Sequence, residues 1–448
     1  MPERPERAPD VEIVGEMKET GFEDRQWLVQ RGDRFIQLTE LLYRVVEQSD
    51  GERTLREVAA GVTASTDWAV EADDVRRMIG TKLIPLGLIS PAEDADDHGY
   101  PADVREGPRS PLALNMRTKA IGPRVIDPVS GVLRLLFAPP ILVPILLAVV
   151  AAHWWLYAVH GVMGSVVAFL RTPGLVLVVL AATLLAGVFH EFGHASALRY
   201  GGGRARAMGA GLYIVYPAFY TDTTDAYRLG RWGRVRTDLG GFYFSLIFAL
   251  GLMALYAVTG QEILLFVVLL INLDIVYQCL PFVRFDGYWA LADLSGIPDF
   301  FSQMGAFLRS VLPLRRWKGA RLPNLKPRVK TVFAAYVLVT VPVLSLLLFS
   351  LVSNLPSIAS TAWESLRAQA TQAARALDDG LLLDVAAATV EALLLTLQML
   401  AILYLLYNIG RRFVRAVLTW SRPTPLRRAI GASLVVGVIS LVAFLWAA

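Results

Sequence analysis

Cysteine is nearly absent: Cys279 is the only one in 448 residues. A lone thiol excludes an intrachain disulfide and suits a reducing environment for the N-terminal part. Histidine is scarce as well, with five in the chain. His98, His153 and His160 lie apart from one another, whereas His190 and His194 are close together. The opening Met-Pro-Glu-Arg-Pro-Glu-Arg has no apolar stretch of the kind a signal peptide needs, so none is expected. No internal repeat and no low-complexity tract interrupts the chain.

What is abundant is apolar sequence. The hydrophobic fraction is 55% and the mean hydropathy +0.48, too high for a water-soluble chain of this length and typical of a polytopic membrane protein. Runs near the ~20 residues that cross hydrocarbon fall at 135–158, 174–200, 239–259, 262–283, 330–352, 383–408 and 428–447. Lys and Arg alternate between the segments joining them. Arg171 alone separates the first two runs, while Arg204, Arg206, Arg228, Arg231, Arg234 and Arg236 follow the second. Arg411, Arg412, Arg415, Arg422, Arg427 and Arg428 follow the sixth. By the positive-inside rule the N-terminus is expected on the cytoplasmic side and the C-terminus on the extracytoplasmic side of a cell membrane. The basic residues therefore read as topology determinants in contact with lipid, and no nucleic-acid surface is expected. The net charge of +4 hides a balance of −11 over residues 1–107 and +15 over residues 108–448.

Residues 1–90 read as a small α+β domain of winged-helix type. Trp27-Leu28-Val29 and Phe35-Ile36-Gln37-Leu38 flank Arg31-Gly32-Asp33, a hairpin-like turn. Thr39 is placed to cap a helix from Glu40 to Gln48, and Thr54-Leu55-Arg56-Glu57 is a capping box opening a second. A third is expected from about Glu71 to Leu86, with Val75, Met78, Ile79 and Leu83 on one stripe. Residues 91–134, acidic and then proline-rich, read as a linker, and residues 135–448 as the membrane domain. Leu212 to Tyr220, aromatic and too short to span, is expected to be a strand, a re-entrant hairpin or an interfacial aromatic belt.

The chemistry sits in the second run. Gly174 to Phe189 contains no charged residue, and His190-Glu191-Phe192-Gly193-His194 follows at once. Two imidazoles and a carboxylate are costly in hydrocarbon, which marks them as a functional site. Helical i, i+4 spacing sets the two histidines on one face about 6 Å apart along the axis. That suits two neutral nitrogen ligands to zinc, with Glu191 between them as general base. The alternative is a set of polar residues merely bonded to neighbouring helices. A catalytic zinc takes three protein ligands. Asp286, in the segment Leu280 to Gly287, is the best candidate: Pro281 ends the fourth run and Gly287 allows a tight turn. Asp222, Asp225, Asp274 and Asp293 compete. His190 lies roughly 15 Å before the end of its helix, so the Asp286 segment has to dip inward or the helix has to protrude. In the fourth run Gln278 is placed to contact substrate, while Asn272 and Asp274 suit bonds between helices.

These residues resemble the site-2 protease family of intramembrane zinc metallopeptidases. That family pairs HExxH with Asn-x-x-Pro-x-x-x-x-Asp-Gly on a later transmembrane helix. His190, Glu191, His194, Pro281, Asp286 and Gly287 match it, and Gln278 stands where the family has Asn. Arg284-Phe285-Asp286-Gly287-Tyr288-Trp289, with Tyr220, Asp222 and Asp225 upstream, is similar to a bacterial branch of peptide zinc metalloproteases. The resemblance implies His190, His194 and Asp286 as zinc ligands, Glu191 as base, and Gln278 and Tyr220 near substrate. Gln30 to Ala59 resembles PqqD-like domains, which bind leader peptides of ribosomally made, post-translationally modified peptides. That likeness implies a leader strand beside Arg34–Leu38, meeting Phe35, Ile36 and Gln37, packed on a helix face of Val75, Met78, Ile79 and Lys82. The expected activity is removal of the leader from such a precursor. Two alternatives are regulated intramembrane proteolysis of a membrane-anchored regulator and non-catalytic peptide binding in the membrane.

Overall fold

The computed structural model describes residues 3–17, 19–31, 34–90, 114–172, 174–213, 216–280, 283–297, 304, 325–422 and 424–447. The chain is mainly helical, with a small α+β unit at its N-terminus. In that unit β1 (Val11–Glu16), β2 (Gln26–Arg31) and β3 (Arg34–Thr39) form an antiparallel sheet in that order. Gln30 pairs with Phe35 and Arg31 with Arg34, so the two expected strands pair as a hairpin but Arg31, expected in the turn, belongs to β2; residues 32–33 lie outside the described residues. Helices α1 (Glu40–Gln48), α2 (Leu55–Ser65) and α3 (Ala72–Met78) follow.

Two expectations change in detail. Thr39 stands at the N-cap of α1, yet its hydroxyl makes no capping bond. The third helix ends at Leu83, because after Met78 it widens into a π-helical turn, Ile79–Leu83. The box at α2 forms as expected: the Glu57 carboxylate accepts from the Thr54 amide at 2.7 Å, and the Thr54 hydroxyl accepts from the Glu57 amide. Val29, Val45, Val46, Val58, Val62, Val75, Ile79 and Leu83 close a common core. In water this burial stabilises the unit, at about 1.5–3 kcal/mol for each large apolar side chain.

Among the described residues seven helices are long and apolar enough to cross a membrane: Pro139–His160, Leu175–Tyr200, Arg231–Thr259, Glu262–Cys279, Pro327–Ser353, Leu382–Ser421 and Pro425–Trp446. Each overlaps one of the expected runs. We label their α-helical segments α5 (Pro139–Trp154), α7 (Leu175–Tyr200), α8 (Arg231–Thr259), α9 (Glu262–Cys279), α11 (Pro327–Ser353), α13 (Leu382–Ser421) and α14 (Pro425–Ala447). Between them lie α6 (Met163–Arg171), α10 (Asp286–Ser295) and α12 (Leu355–Asp378). Large apolar side chains such as Leu147, Leu185, Val258, Leu338 and Leu393 point outward and exposed, the arrangement lipid requires.

The proline-rich linker is only partly a linker. Its residues 91–113 lie outside the described residues, but β4 (Leu114–Ile121) and α4 (Pro123–Leu133) are built from the rest. Pro123 occupies the first turn of α4, where its missing N–H costs nothing. β4 pairs antiparallel with β5 (Met208–Tyr213), which pairs with β6 (Tyr216–Thr221), so the aromatic segment after α7 is a hairpin in a three-stranded sheet.

Candidate metal centre

The charge-free run makes α7 a helix, and α8 packs across it at glycines. A Cβ on Gly193 would lie 2.3 Å from the Gly240 carbonyl oxygen, and one on Gly240 would lie 2.6 Å from that of Gly193. Only hydrogen fits, which is how apolar helices approach when no hydrophobic force joins them in lipid. The crossing sets α8 against the motif. His194 Nδ1 donates to the Thr237 carbonyl at 2.8 Å, and His190 Nδ1 meets Ser245 Oγ at 2.9 Å. A carbonyl only accepts, so Nδ1 of His194 carries a hydrogen, and in the neutral form of the ring the lone pair is at Nε2.

Both Nε2 atoms converge on Asp286, the first residue of α10. Asp286 Oδ2 lies 2.9 Å from His190 Nε2 and 3.0 Å from His194 Nε2, and the two Nε2 atoms lie 3.1 Å apart. The depth mismatch is thus resolved by the chain after α9, which returns Asp286 to the level of the motif. Pro281 lies outside the described residues, so the expected break there has no structural account. Gly287 has a different reason from the expected tight turn. Its φ is not positive; instead a Cβ there would lie 2.7 Å from Cys279 Cα, where α10 packs on the end of α9.

Burial alone would raise the Asp286 carboxyl, but the imidazoles of His194 and His190 hold it below the usual carboxylate range. When both rings are neutral with their lone pairs at Nε2, the two nitrogens and the carboxylate oxygen form a set of three donor atoms that a cation can join. A zinc ion with bonds of about 2.0–2.1 Å needs donor–donor edges near about 3.3 Å, close to those observed. The space is also open: a Cβ on Gly241 would fall 2.3 Å from His190 Nε2 and 2.5 Å from His194 Nε2. The donor set and the cradle left by Gly241 therefore fit a metal ion. His190, Glu191 and His194 themselves offer donor atoms within 4.8 Å of one another.

Glu191 is held separately. Thr221, the last residue of β6, donates its hydroxyl to Glu191 Oε2 at 2.7 Å. Both line a cavity of about 1020 Å³, together with Tyr220, Gln278 and Asp286. Gln278 donates to Asp274 Oδ2 at 2.6 Å. Asn272 bridges helices, donating to the Tyr157 hydroxyl at 2.8 Å and meeting His153 Nε2 at 3.1 Å. The competing carboxylates are engaged elsewhere. Asp222 bonds Thr224, Asp225 pairs with Arg228 at 3.2 Å, and Asp293 pairs with Arg234 at 2.8 Å. His160 bonds Tyr256 at 2.8 Å, and His98 lies outside the described residues.

Thr237, Gly241, Ser245, Thr221 and the Arg234–Asp293 pair were not singled out from sequence. Serines, threonines and glycines in a membrane helix carry no distinguishing signal, and the Thr237 contact is made by a backbone carbonyl. The remaining expected substrate residues stay on the N-terminal unit. Ile36 and Gln37 are half-buried on β3, and Gln37 donates to Gln26 Oε1 at 3.2 Å. The Phe35 side chain lies outside the described set. Of the expected helix face, Val75 and Ile79 belong to the unit's core and cannot meet a ligand, while Met78 is half-buried and Lys82 exposed. Comparison with family models, with curated proteins and with solved structures gave no match for this chain.

Proposed function

We propose that the chain is an intramembrane zinc endopeptidase that removes the leader from a ribosomally made, post-translationally modified peptide. The observation that carries this reading is the convergence of His190, His194 and Asp286 beside Glu191, in a cavity large enough for an extended peptide. When bound, zinc supplies Lewis acidity and brings the pKa of a coordinated water toward about 7. Glu191, oriented by Thr221, takes the proton of the attacking water and returns it to the leaving amine. Ser245 and the Thr237 carbonyl fix the ring orientations of His190 and His194. β6 is the last strand of its sheet and its Ala218, Phe219, Tyr220 and Thr221 line the cavity, so an extended substrate could lie along this strand beside Glu191.

The N-terminal unit supports a peptide substrate. β3 is also an edge strand, and Ile36, Gln37, Met78 and Lys82 lie where a leader strand would dock. Holding the leader there raises the local concentration of the cleavage site at the metal. In this reading the unit is cytoplasmic and the ends of α7 and α9 and the starts of α8 and α11 face the same side.

The test is incubation of the purified protein with the precursor encoded nearest its gene, followed by mass spectrometry. Glu191→Gln is expected to bind zinc and precursor with a rate reduced at least about a hundredfold. Turnover retained in that variant would remove the proposed base. An uncut precursor alongside a cleaved membrane-anchored regulator would move the protein to regulated intramembrane proteolysis.

A further inference from the structure

The loop between β1 and β2 leaves its own sheet and enters the membrane domain at three points. Glu19 takes the Arg231 amide at 2.9 Å, and the Glu19 carbonyl takes the Arg231 guanidinium at 2.8 Å, at the first residue of α8. The Gly21 amide donates to the Gly296 carbonyl at 2.8 Å, just past the end of α10. At the start of α11 the Lys326 amide donates to the Gly21 carbonyl at 3.0 Å, and its ammonium to the Thr20 carbonyl at 2.8 Å. The fit is close. A Cβ on Gly21 would stand 2.7 Å from the Ser295 carbonyl oxygen, and one on Gly296 would stand 2.5 Å from the Gly21 nitrogen.

Phe22 completes the contact. It is buried in one cluster with Tyr288, Ala292 and Ile297 of the α10 segment and Phe333, Tyr336 and Val337 of α11. Tyr288 is fully buried and stands two residues after Asp286, in the same helical turn. The loop therefore touches both helices that complete the metal centre. α8 brings Thr237, Gly241 and Ser245 to the histidines, and α10 brings Asp286. Because α10 is a single helix of 10 residues, about 15 Å long, a clamp at its C-terminal end and along its buried face sets the position of its first carboxylate.

From this geometry we infer that Glu19–Phe22 is a latch that positions Asp286, so that the N-terminal unit is a structural part of the metal centre. Phe22 is a positioning residue, acting through Tyr288 and α10. The unit that meets a leader peptide and the helix that supplies the third ligand are then mechanically joined, and movement of the unit reaches the metal through four residues. The inference rests on the metal reading of His190, His194 and Asp286, but not on zinc as the ion or on any particular substrate.

The experiment titrates the full-length purified protein with cobalt(II), reading the visible absorption bands of the bound ion, with hydrogen exchange over residues 286–295 as a second signal. Phe22→Ala is expected to weaken cobalt binding by about tenfold or more, as loss of support behind a ligand does, to change the band pattern, and to speed exchange in α10. Phe22→Leu, which refills the cluster, is expected to restore all three. Glu19→Ala, which opens no core, is expected to weaken binding in the same direction by a smaller factor. Cobalt affinity, spectrum and α10 exchange that remain those of the wild type in both Phe22→Ala and Glu19→Ala would overturn the latch. A wild-type protein that takes up no cobalt would overturn the metal reading itself, whatever the latch variants do.

Discussion

At the scale of single residues the centre depends on atoms that are small or absent. Gly241 has no side chain, and that absence leaves room between two imidazoles. Gly241→Ala is expected to lower metal affinity at least about a hundredfold while the helices stay folded, since the new methyl group would occupy the ion's place. Gly251→Ala is the control on the same helix, because a Cβ there meets nothing within 4 Å. Metal content by mass spectrometry decides it: a stoichiometric ion in Gly241→Ala would show that the cradle lies elsewhere. The HExxH residues were legible because i, i+4 spacing is a local property. Thr221, which orients Glu191, was not, because nothing near position 221 marks it as a partner of position 191.

At the scale of elements two kinds of force operate. The N-terminal unit closes a core of Val, Ile and Leu, whereas α7 and α8 are long apolar helices whose lipid-facing side chains are no more apolar than lipid itself. There, glycine contacts, the His–Asp cluster and the Arg234–Asp293 pair specify the packing. Arg234 is only 1% exposed, and it ties the first part of α8 to α10. Burial pushes the Asp293 carboxyl above its usual range, against the pull of that guanidinium. In the N-terminal unit, helix ends matter instead. The Thr54 amide and hydroxyl hold the Glu57 carboxyl below its ordinary 4.5. A depressed carboxyl adds stability that is present above its unfolded pKa and lost as pH falls through the folded one. Amide exchange along α2 is therefore expected to quicken as pH drops below about 4.5, after correction for the intrinsic exchange rate, and Glu57→Gln should flatten that dependence. A slope unchanged in the variant would assign the pH response to another group.

At the scale of the whole molecule, helix lengths and charges fix how the chain sits. α13 has 40 residues, about 60 Å, roughly twice the hydrocarbon thickness, so an upright crossing leaves part of it beyond the hydrocarbon. α12, a helix of 24 residues that packs against it, lies between the fifth and sixth apolar runs. With the N-terminal unit inside, α12 is outside. In a Cys279→Ser background, Thr371→Cys should react with a membrane-impermeant thiol reagent in intact cells, whereas Arg56→Cys should react only after lysis. The reverse pattern would invert the topology and place the histidine-bearing end of α7 and the C-terminal end of α9 on the outer side.

Seven apolar runs, a hairpin followed by three helices at the N-terminus, and the histidine pair with its glutamate were all legible in the chain alone. Each of these is set by residues within a turn, a strand pair or about 20 consecutive positions, where hydropathy, capping and helical spacing act. Tertiary structure decided which of five aspartates meets the histidines, why Gly241 must be glycine, and how a supposed linker supplies β4. It also decided that the β1–β2 loop reaches α10. Those outcomes join positions far apart in the chain, often through backbone atoms that every residue type shares. The Thr237 carbonyl that orients His194 would look the same beneath any side chain, so only the packed helices could reveal it.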